Sequence, residues 1–340
     1  MIRQVLFGVL ALGACWAELR AQGPGQPGQP AAAAPVRPPA EIPFARLTPD
    51  AVLPVTMEAG ATATEDAIWV AGRASGTITR LDPKANTAGT PISAGTSPCA
   101  SLSAGFDSVW VPLCGGSPGV ARIDVAKGAV SATVPVKVAG AEGRTAIAVG
   151  SLWVITSQKG VLSRVDPGTN APIAETYVAA GAEAVVAGED ALWVTSGKTS
   201  TLTRVHPHNN EVVEIVKAGA DPGPLAVGEG GVWTLNRGDG SGSGAATVSR
   251  VDPKTNKVVA TISVGVLGAP AEIAAGEGSV WISAPGVPIT RIDPRTNRAV
   301  QRFTGEGGGA ILVAHGSLWV AAGPQKTWRL DPALVTATRP

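Results

Sequence analysis

Seven tryptophans pace this chain: Trp69, Trp110, Trp153, Trp193, Trp233, Trp281 and Trp319 follow one another at intervals of 41, 43, 40, 40, 48 and 38 residues. A self-similar period near 42 residues restricts the fold to architectures in which one supersecondary unit is copied and stacked. The indoles sit among aliphatic neighbours, as in Ile68-Trp69-Val70, Val109-Trp110-Val111, Leu152-Trp153-Val154, Leu192-Trp193-Val194 and Leu318-Trp319-Val320. An apolar residue at every position, instead of every second one, marks a strand buried on both faces. Such a strand belongs to a sheet that is itself packed between two others.

A second signature follows each Trp: Arg80-Leu81-Asp82-Pro83, Arg122-Ile123-Asp124, Arg164-Val165-Asp166-Pro167, Arg204-Val205-His206-Pro207, Arg250-Val251-Asp252-Pro253, Arg291-Ile292-Asp293-Pro294 and Arg329-Leu330-Asp331-Pro332. Its period of two predicts a strand farther from the centre with one wet face. Asp-Pro-x-Thr-Asn, as at Asp252 to Asn256 and Asp293 to Asn297, is turn chemistry: Asp caps, Pro presets φ and Asn accepts the left-handed conformation. A β-rich run such as Val258-Val259-Ala260-Thr261-Ile262 completes each unit. For the fourth copy the strands A to D are expected near 184–188, 191–196, 201–206 and 211–217. Four short strands every 40 to 45 residues are the mark of propeller blades. With 43 Gly and 28 Pro the chain is also too heavily punctuated for long helices. The expected class is all-β, a seven-bladed β-propeller of four-stranded antiparallel blades over residues 44–340. Residues 44–57, with Arg46-Leu47-Thr48-Pro49 echoing the corner, are expected to pair with the last blade and help close the ring, because an open edge invites aggregation.

Ahead of the propeller, MIRQVLFGVLALGACWA carries one early cation, Arg3, and an apolar run too short to span a bilayer, which is the pattern of a secretory signal over residues 1–21. Leu12-Gly13-Ala14-Cys15 resembles a bacterial lipobox, which would make 1–14 the signal and Cys15 the lipidated N-terminus. Cleavage after Ala17 or Ala21 would instead discard Cys15. Residues 22–43 hold seven prolines and read as a disordered spacer, reaching roughly 70 Å at about 3.1 Å per residue. The expected address is the periplasm or, by a lipid anchor, the outer membrane, since Trp16 is not the Asp that retains lipoproteins at the inner one. With 27 Lys and Arg against 26 Asp and Glu, a net charge of +1, the chain has no field for a phosphate backbone, and nucleic acid is not an expected partner.

The repeat, Gly150-Ser151-Leu152-Trp153-Val154 followed by runs such as Arg250-Val251-Asp252-Pro253-Lys254-Thr255-Asn256-Lys257-Val258-Val259-Ala260-Thr261-Ile262, resembles YVTN-type repeat propellers and the virginiamycin B lyase-like superfamily. The resemblance covers about 44–340 and implies a ligand face built from D-to-A and B-to-C loops. It also implies, for the lyases, a histidine base with glutamates and magnesium on that face. Here His206 and His208 fall in a C-to-D corner and His315 in an A-to-B turn, so none matches. Lactonase-type propellers hold a divalent cation with Glu, Asn and Asp, and a hard cation needs several converging oxygens. Asn86, Asn170, Asn209, Asn210, Asn256 and Asn297 belong to corners, leaving Asn236 alone for the ligand side. No catalytic residue, metal or cofactor is therefore expected.

Candidate ligand-face residues are Glu142, Arg144, Glu183, Asp221 and Glu272 from D-to-A loops, with Lys159, Lys198, Arg237, Asp239 and Lys326 from B-to-C loops. The longest insertion, 236–246, is a Gly- and Ser-rich flap on the same side; long loops on rigid scaffolds carry function. The seven in-register arginines are expected to tie blade to blade. Cys99 and Cys114 lie symmetrically about a two-residue Phe106-Asp107 hairpin turn, and an exported compartment permits the disulfide that this spacing predicts. The function expected is a non-catalytic, monomeric binding body for an envelope protein or a small polar ligand. The alternatives are a metal-dependent lyase-like or lactonase-like enzyme, which would need three or more oxygens converging near the axis, and a bare structural spacer.

Overall fold

The computed structural model describes residues 39–115, 118–139, 143–238 and 244–340. The expected leader with Cys15 and nearly all of the expected spacer lie outside the described residues. Seven sheets follow in chain order, six built on an antiparallel A-B-C-D meander and the seventh on an A-B-C meander completed by an N-terminal strand, and the A strands contact their neighbours in a closed cycle that returns from the seventh sheet to the first. This is the seven-bladed propeller expected from the indole spacing. The fourth blade comprises Ala182–Gly188, Ala191–Ser196, Thr201–His206 and Glu211–Lys217. The A strand begins two residues earlier than its sequence pattern suggests.

Every repeated Trp is fully buried on strand B. Its partners explain the doubly apolar pattern: Trp319 packs with Ile68, Val70 and Leu81 of blade one, Trp110 with Leu152, Val154 and Val165 of blade three, and Trp281 with Leu318, Val320 and Leu330 of blade seven. Each indole is thus wedged into the face of the following blade. Burying about 200 Å² of indole at about 25 cal/mol/Å² is worth up to about 5 kcal/mol per blade. The ring nitrogen is satisfied at the same time, donating to the carbonyl five residues back in six blades, as from Trp193 Nε1 to Gly188 O at 3.2 Å, and to Thr64 Oγ1 in the first.

Strand C is more enclosed than its period of two suggests. Thr201–His206 exposes only its last residue, whereas the outermost strand Glu211–Lys217 is exposed at all positions but Val216. The next blade's packing accounts for the difference, and the wet strand is D.

The N-terminal segment closes the ring. Ala51–Leu53 pairs antiparallel with Thr327–Leu330 and serves as strand D of blade seven, while Glu41–Pro43 adds a fifth, parallel strand to the edge of blade six. Among the described residues no helix is long and apolar enough to cross a membrane.

The arginines tie blades together at five of the seven junctions. Arg122 donates from Nη1 to Pro167 O at 2.6 Å and Asn170 Oδ1 at 3.3 Å, and Arg204, Arg250 and Arg329 repeat the pair of acceptors on the next blade's corner. Arg164 reaches Asn210 Oδ1 at 3.2 Å. The corner asparagines Asn86, Asn170, Asn210, Asn256 and Asn297 adopt φ of 54–62°, the left-handed turn that aims Oδ1 at the arginine. Arg80 and Arg291 correct the expectation. The corners they would meet lack the asparagine: blade two turns through Asp124-Val125-Ala126-Lys127, and blade seven runs into a short helix, Pro332–Ala337. Arg80 instead pairs with Asp66 of its own blade at 2.8 Å.

Cys99 and Cys114 form a disulfide, with Cα atoms 5.4 Å apart. The Phe106-Asp107 turn is as expected, both residues having positive φ. Gly105 pairs with Ser108 and Ser103 with Trp110, but farther out Pro98 pairs with Leu113, so the register slips by two residues. The bridge therefore joins the loop before strand A to the end of strand B, and the two cysteines do not stand directly opposite in a ladder.

Candidate ligand-binding face

The loops that enter strand A and leave strand B converge on one end of the channel, and the described candidates among the site residues lie there. Arg144, just before strand A of blade three, forms an ion pair with Glu272, the first residue of strand A in blade six. These blades stand across the ring from one another, so the pair bridges the channel. Both side chains are only 10% exposed. Gly143 sets the arginine's approach: its φ is +47°, and a Cβ there would lie 2.3 Å from Cys99 Sγ. The disulfide thus forms the wall behind Arg144.

A second charged group lies between blades four and five. Arg237 Nη1 stands 2.7 Å from Glu183 Oε2 and 3.4 Å from Asp221 Oδ1. The expected face residues are thereby brought together in two clusters, but as internal ion pairs instead of an open display. Glu142 and Asp239 lie outside the described residues, as does the centre of the 236–246 insertion. Asn236 is fully buried, donating through Nδ2 to Thr247 Oγ1 at 3.0 Å and Ser249 Oγ at 2.9 Å. It holds strand B to strand C and does not face a ligand. Among the described residues, no three His, Cys, Asp or Glu side chains gather as a metal site.

A cavity of about 910 Å³ opens on this face over blades six, seven and one. Glu58, Arg73, Ser93 and Thr96 supply polar groups on one side, and Pro270 and Pro285 stand on the other. Its floor is Gly307-Gly308-Gly309, all with positive φ. At Gly308 an added Cβ would come within 1.9 Å of Ala284 O, so no other residue fits that backbone. A smaller apolar cavity of about 300 Å³, lined by Pro224, Leu235, Ala246 and Leu267, adjoins at Pro270. Charge-based reasoning missed the main cavity because its walls are mostly small and uncharged. The available signal was the run Gly305-Glu306-Gly307-Gly308-Gly309, longer in glycine than any other D-to-A connection.

The opposite face is built from the corners. Backbone N–H groups of Ala85 and Lys84 hold the Asp82 carboxyl below its ordinary pKa, that of Lys127 does so first for Asp124, and that of Lys254 first for Asp252. These carboxylates cap turns, which is a structural task.

Comparison with solved structures identifies the architecture. The chain superposes on streptogramin B lyase with a TM-score of 0.62 at 16% identity, covering 82% of this chain and 94% of that one. The fold is shared with that lyase. It is shared as well with the Pan2 WD40 domain of Neurospora crassa, TM-score 0.62 at 11% identity over 81% and 89% of the two chains, and with BamB of Moraxella catarrhalis, TM-score 0.58 at 12% identity over 84% and 100%. No protein-family model and no curated protein matches the chain. Likeness at such identities speaks for the propeller and leaves activity to the site.

Proposed function

We propose that this chain is an exported, non-catalytic recognition propeller that binds a segment of an envelope protein, or a small polar ligand, on its D-to-A and B-to-C face. The observation that carries the reading is the 910 Å³ cavity, open on that face and walled by small residues and exposed backbone, which suits an extended chain or a compact polar molecule. The ion pairs support it. A lyase or lactonase reading needs carboxylates free to act as base or ligand, whereas Glu183, Asp221 and Glu272 each face a guanidinium. Export rests on the signal pattern of residues 1–21 and the spacer 22–43, with Cys15 as the candidate lipid site, and a disulfide accords with an oxidising compartment. The whole body over 44–340 then stands off the membrane on its spacer.

The test fills the cavity. Ala74 and Ser93 are exposed on its rim, and Ala74→Trp with Ser93→Trp should abolish capture of the bound species from envelope extracts while thermal stability stays within about 0.5 kcal/mol of the parent, as for surface changes. The captured species must then rebind the purified parent protein and not the variant. Equal binding by both would place recognition elsewhere, and turnover of a streptogramin or lactone by the purified protein would overturn the non-catalytic reading.

A further inference from the structure

Four of the five intact junctions show what a guanidinium at the Arg-x-Asp position is built to meet, a proline carbonyl and an asparagine Oδ1 between 2.5 and 3.3 Å away, and the fifth, at Arg164, keeps the asparagine alone. At the junction of blades six and seven those oxygens are missing. Asp331-Pro332 continues into the helix Pro332–Ala337, and no asparagine stands at the corner. Arg80, at the other irregular junction, is supplied with Asp66. Arg291 has no such carboxylate and makes no ion pair among the described residues.

The guanidinium is nevertheless held firmly. Gln301 Oε1 accepts from Arg291 Nε at 2.5 Å and Ser279 Oγ accepts from Nη1 at 3.2 Å. Gln301 is itself buried and donates through Nε2 to Val335 O at 3.0 Å and Thr338 O at 2.7 Å, which pins the C-terminal helix to blade six. In the regular blades a seryl Oγ accepts from Nε, as Ser108 and Ser151 do, so in blade six the group has turned. Its Nη2 has no acceptor among the described residues, and it borders a cavity of about 650 Å³ that also receives Arg295 and Arg339. Burial lowers the Arg291 pKa, with Asp293 opposing and Arg339 and Arg295 adding to the fall, so a negative charge here would relieve an existing cost.

We infer that the cleft between blades six and seven binds a carboxylate, whose two oxygens take the place of the missing proline carbonyl and asparagine Oδ1 against Arg291. A fixed planar guanidinium with two free directions suits a planar carboxylate. The cavity's acids argue against a dianionic phosphate. Glu229 Oε1 already accepts from Gly278 N at 3.0 Å and Asp331 Oδ1 from Ala333 N at 2.7 Å, while Glu277 is exposed at the rim, so the field is mixed and suited to a single negative charge. The carboxylate has two sources, a free organic acid or the C-terminus of a polypeptide. The site lies on the face opposite the 910 Å³ cavity and does not depend on what that cavity binds.

The test is titration of the full chain, followed by the arginine Nε–Hε resonances at constant ionic strength. The probes are propionate, N-acetyl-Ala-Ala with a free carboxylate, the same peptide as its amide, and inorganic phosphate. A saturable shift at Arg291 is expected with the peptide acid or with propionate, at least tenfold weaker with the amide. The stronger of the two acids identifies the source. Arg291→Gln should weaken binding at least tenfold, whereas Arg250→Gln, whose guanidinium is already clasped, should leave the affinity within twofold. If Arg291→Gln does not fold, the acid-to-amide ratio on the parent chain still decides. No saturable shift with either acid, equal shifts with acid and amide, or tighter binding of phosphate than of both acids would overturn the inference.

Discussion

Replacing Arg250 with alanine should weaken the propeller far more than the same change at Arg80, although the two arginines occupy equivalent positions. Arg250 Nη1 donates to Pro294 O at 2.7 Å and Asn297 Oδ1 at 2.8 Å, Nη2 donates to Gly230 O at 3.0 Å, and the guanidinium lies 4.8 Å from the centroid of Trp233. Hydrogen bonds from a charged donor contribute about 1.5–3 kcal/mol in sheltered sites. The group is half-buried, so about 1.5–2 kcal/mol for the set is a fair share, and the contact with the indole adds about 0.5–1 kcal/mol. Arg250→Ala is therefore expected to cost about 2–3 kcal/mol. Arg80 has only its ion pair with Asp66, exposed on both sides, and Arg80→Ala should cost about 0.2–1 kcal/mol. Asn297→Ala removes one arm of the clasp, and together with Arg250→Ala should fall short of additivity by about 1 kcal/mol. Urea unfolding followed by tryptophan fluorescence reads these values, with the slope compared among variants because a repeat array can lose cooperativity. Equal losses for Arg80→Ala and Arg250→Ala, or strict additivity of Arg250→Ala with Asn297→Ala, would refute the clasp as the source of junction stability.

Three further expectations concern other parts of the ring. Reducing the Cys99–Cys114 bridge, which spans 15 residues of sequence, or replacing both cysteines with serine should lower unfolding stability by about 3 kcal/mol in the same denaturation assay. Glu272→Ala leaves Arg144 facing the channel without that carboxylate and should cost about 3 kcal/mol, whereas Arg144→Met combined with Glu272→Leu should recover most of the loss; a double variant as unstable as the single one would argue against desolvation as the cause. The corner carboxylates Asp82, Asp124 and Asp252 titrate below their ordinary value in the folded chain, so their contribution is complete above the unfolded pKa of about 3.9 and is lost as pH falls through their lowered values. Thermal melting should accordingly be flat near neutrality and decline below about pH 4, and less steeply in a variant with all three changed to asparagine.

The architecture was legible because the blade writes its own packing into the sequence. A strand wedged between two sheets must be apolar at each position, and the indole that fills the gap must recur once per blade, so Trp69 to Trp319 reveal both the strand and the count. The Asp-Pro-x-Thr-Asn corners were equally plain, since left-handed backbone selects its residues. What each corner does for its neighbour was half visible: seven arginines in register imply a shared role, but the acceptors sit on the next blade, and only the loss of Asn from the second and seventh corners announces that Arg80 and Arg291 differ. The face residues Arg144, Glu183, Arg237 and Glu272 were found by sorting loops, whereas their pairing across and around the channel depends on ring geometry that no local pattern contains. Asn236 misled for a related reason, because its place at the end of strand B does not reveal that Thr247 and Ser249 lie close enough to bury it. The main cavity was obscured by being made of glycine, proline and small polar residues, which read as ordinary turns.

The seam of the ring is formed by the two chain ends: Ala51–Leu53 supplies the last strand of blade seven, and Glu41–Pro43 caps the edge of blade six. A nascent chain emerging from its N-terminus holds Ala51–Leu53 in hand for some 270 residues before Thr327–Leu330 arrives to receive it, and Glu41–Pro43 until Arg298–Thr304 is made. The circle therefore cannot lock before its final blade has been made. Once locked, any tension applied ahead of Glu41 is borne first by the edge of blade six and then by the seam, which makes that junction the mechanical fuse of the molecule.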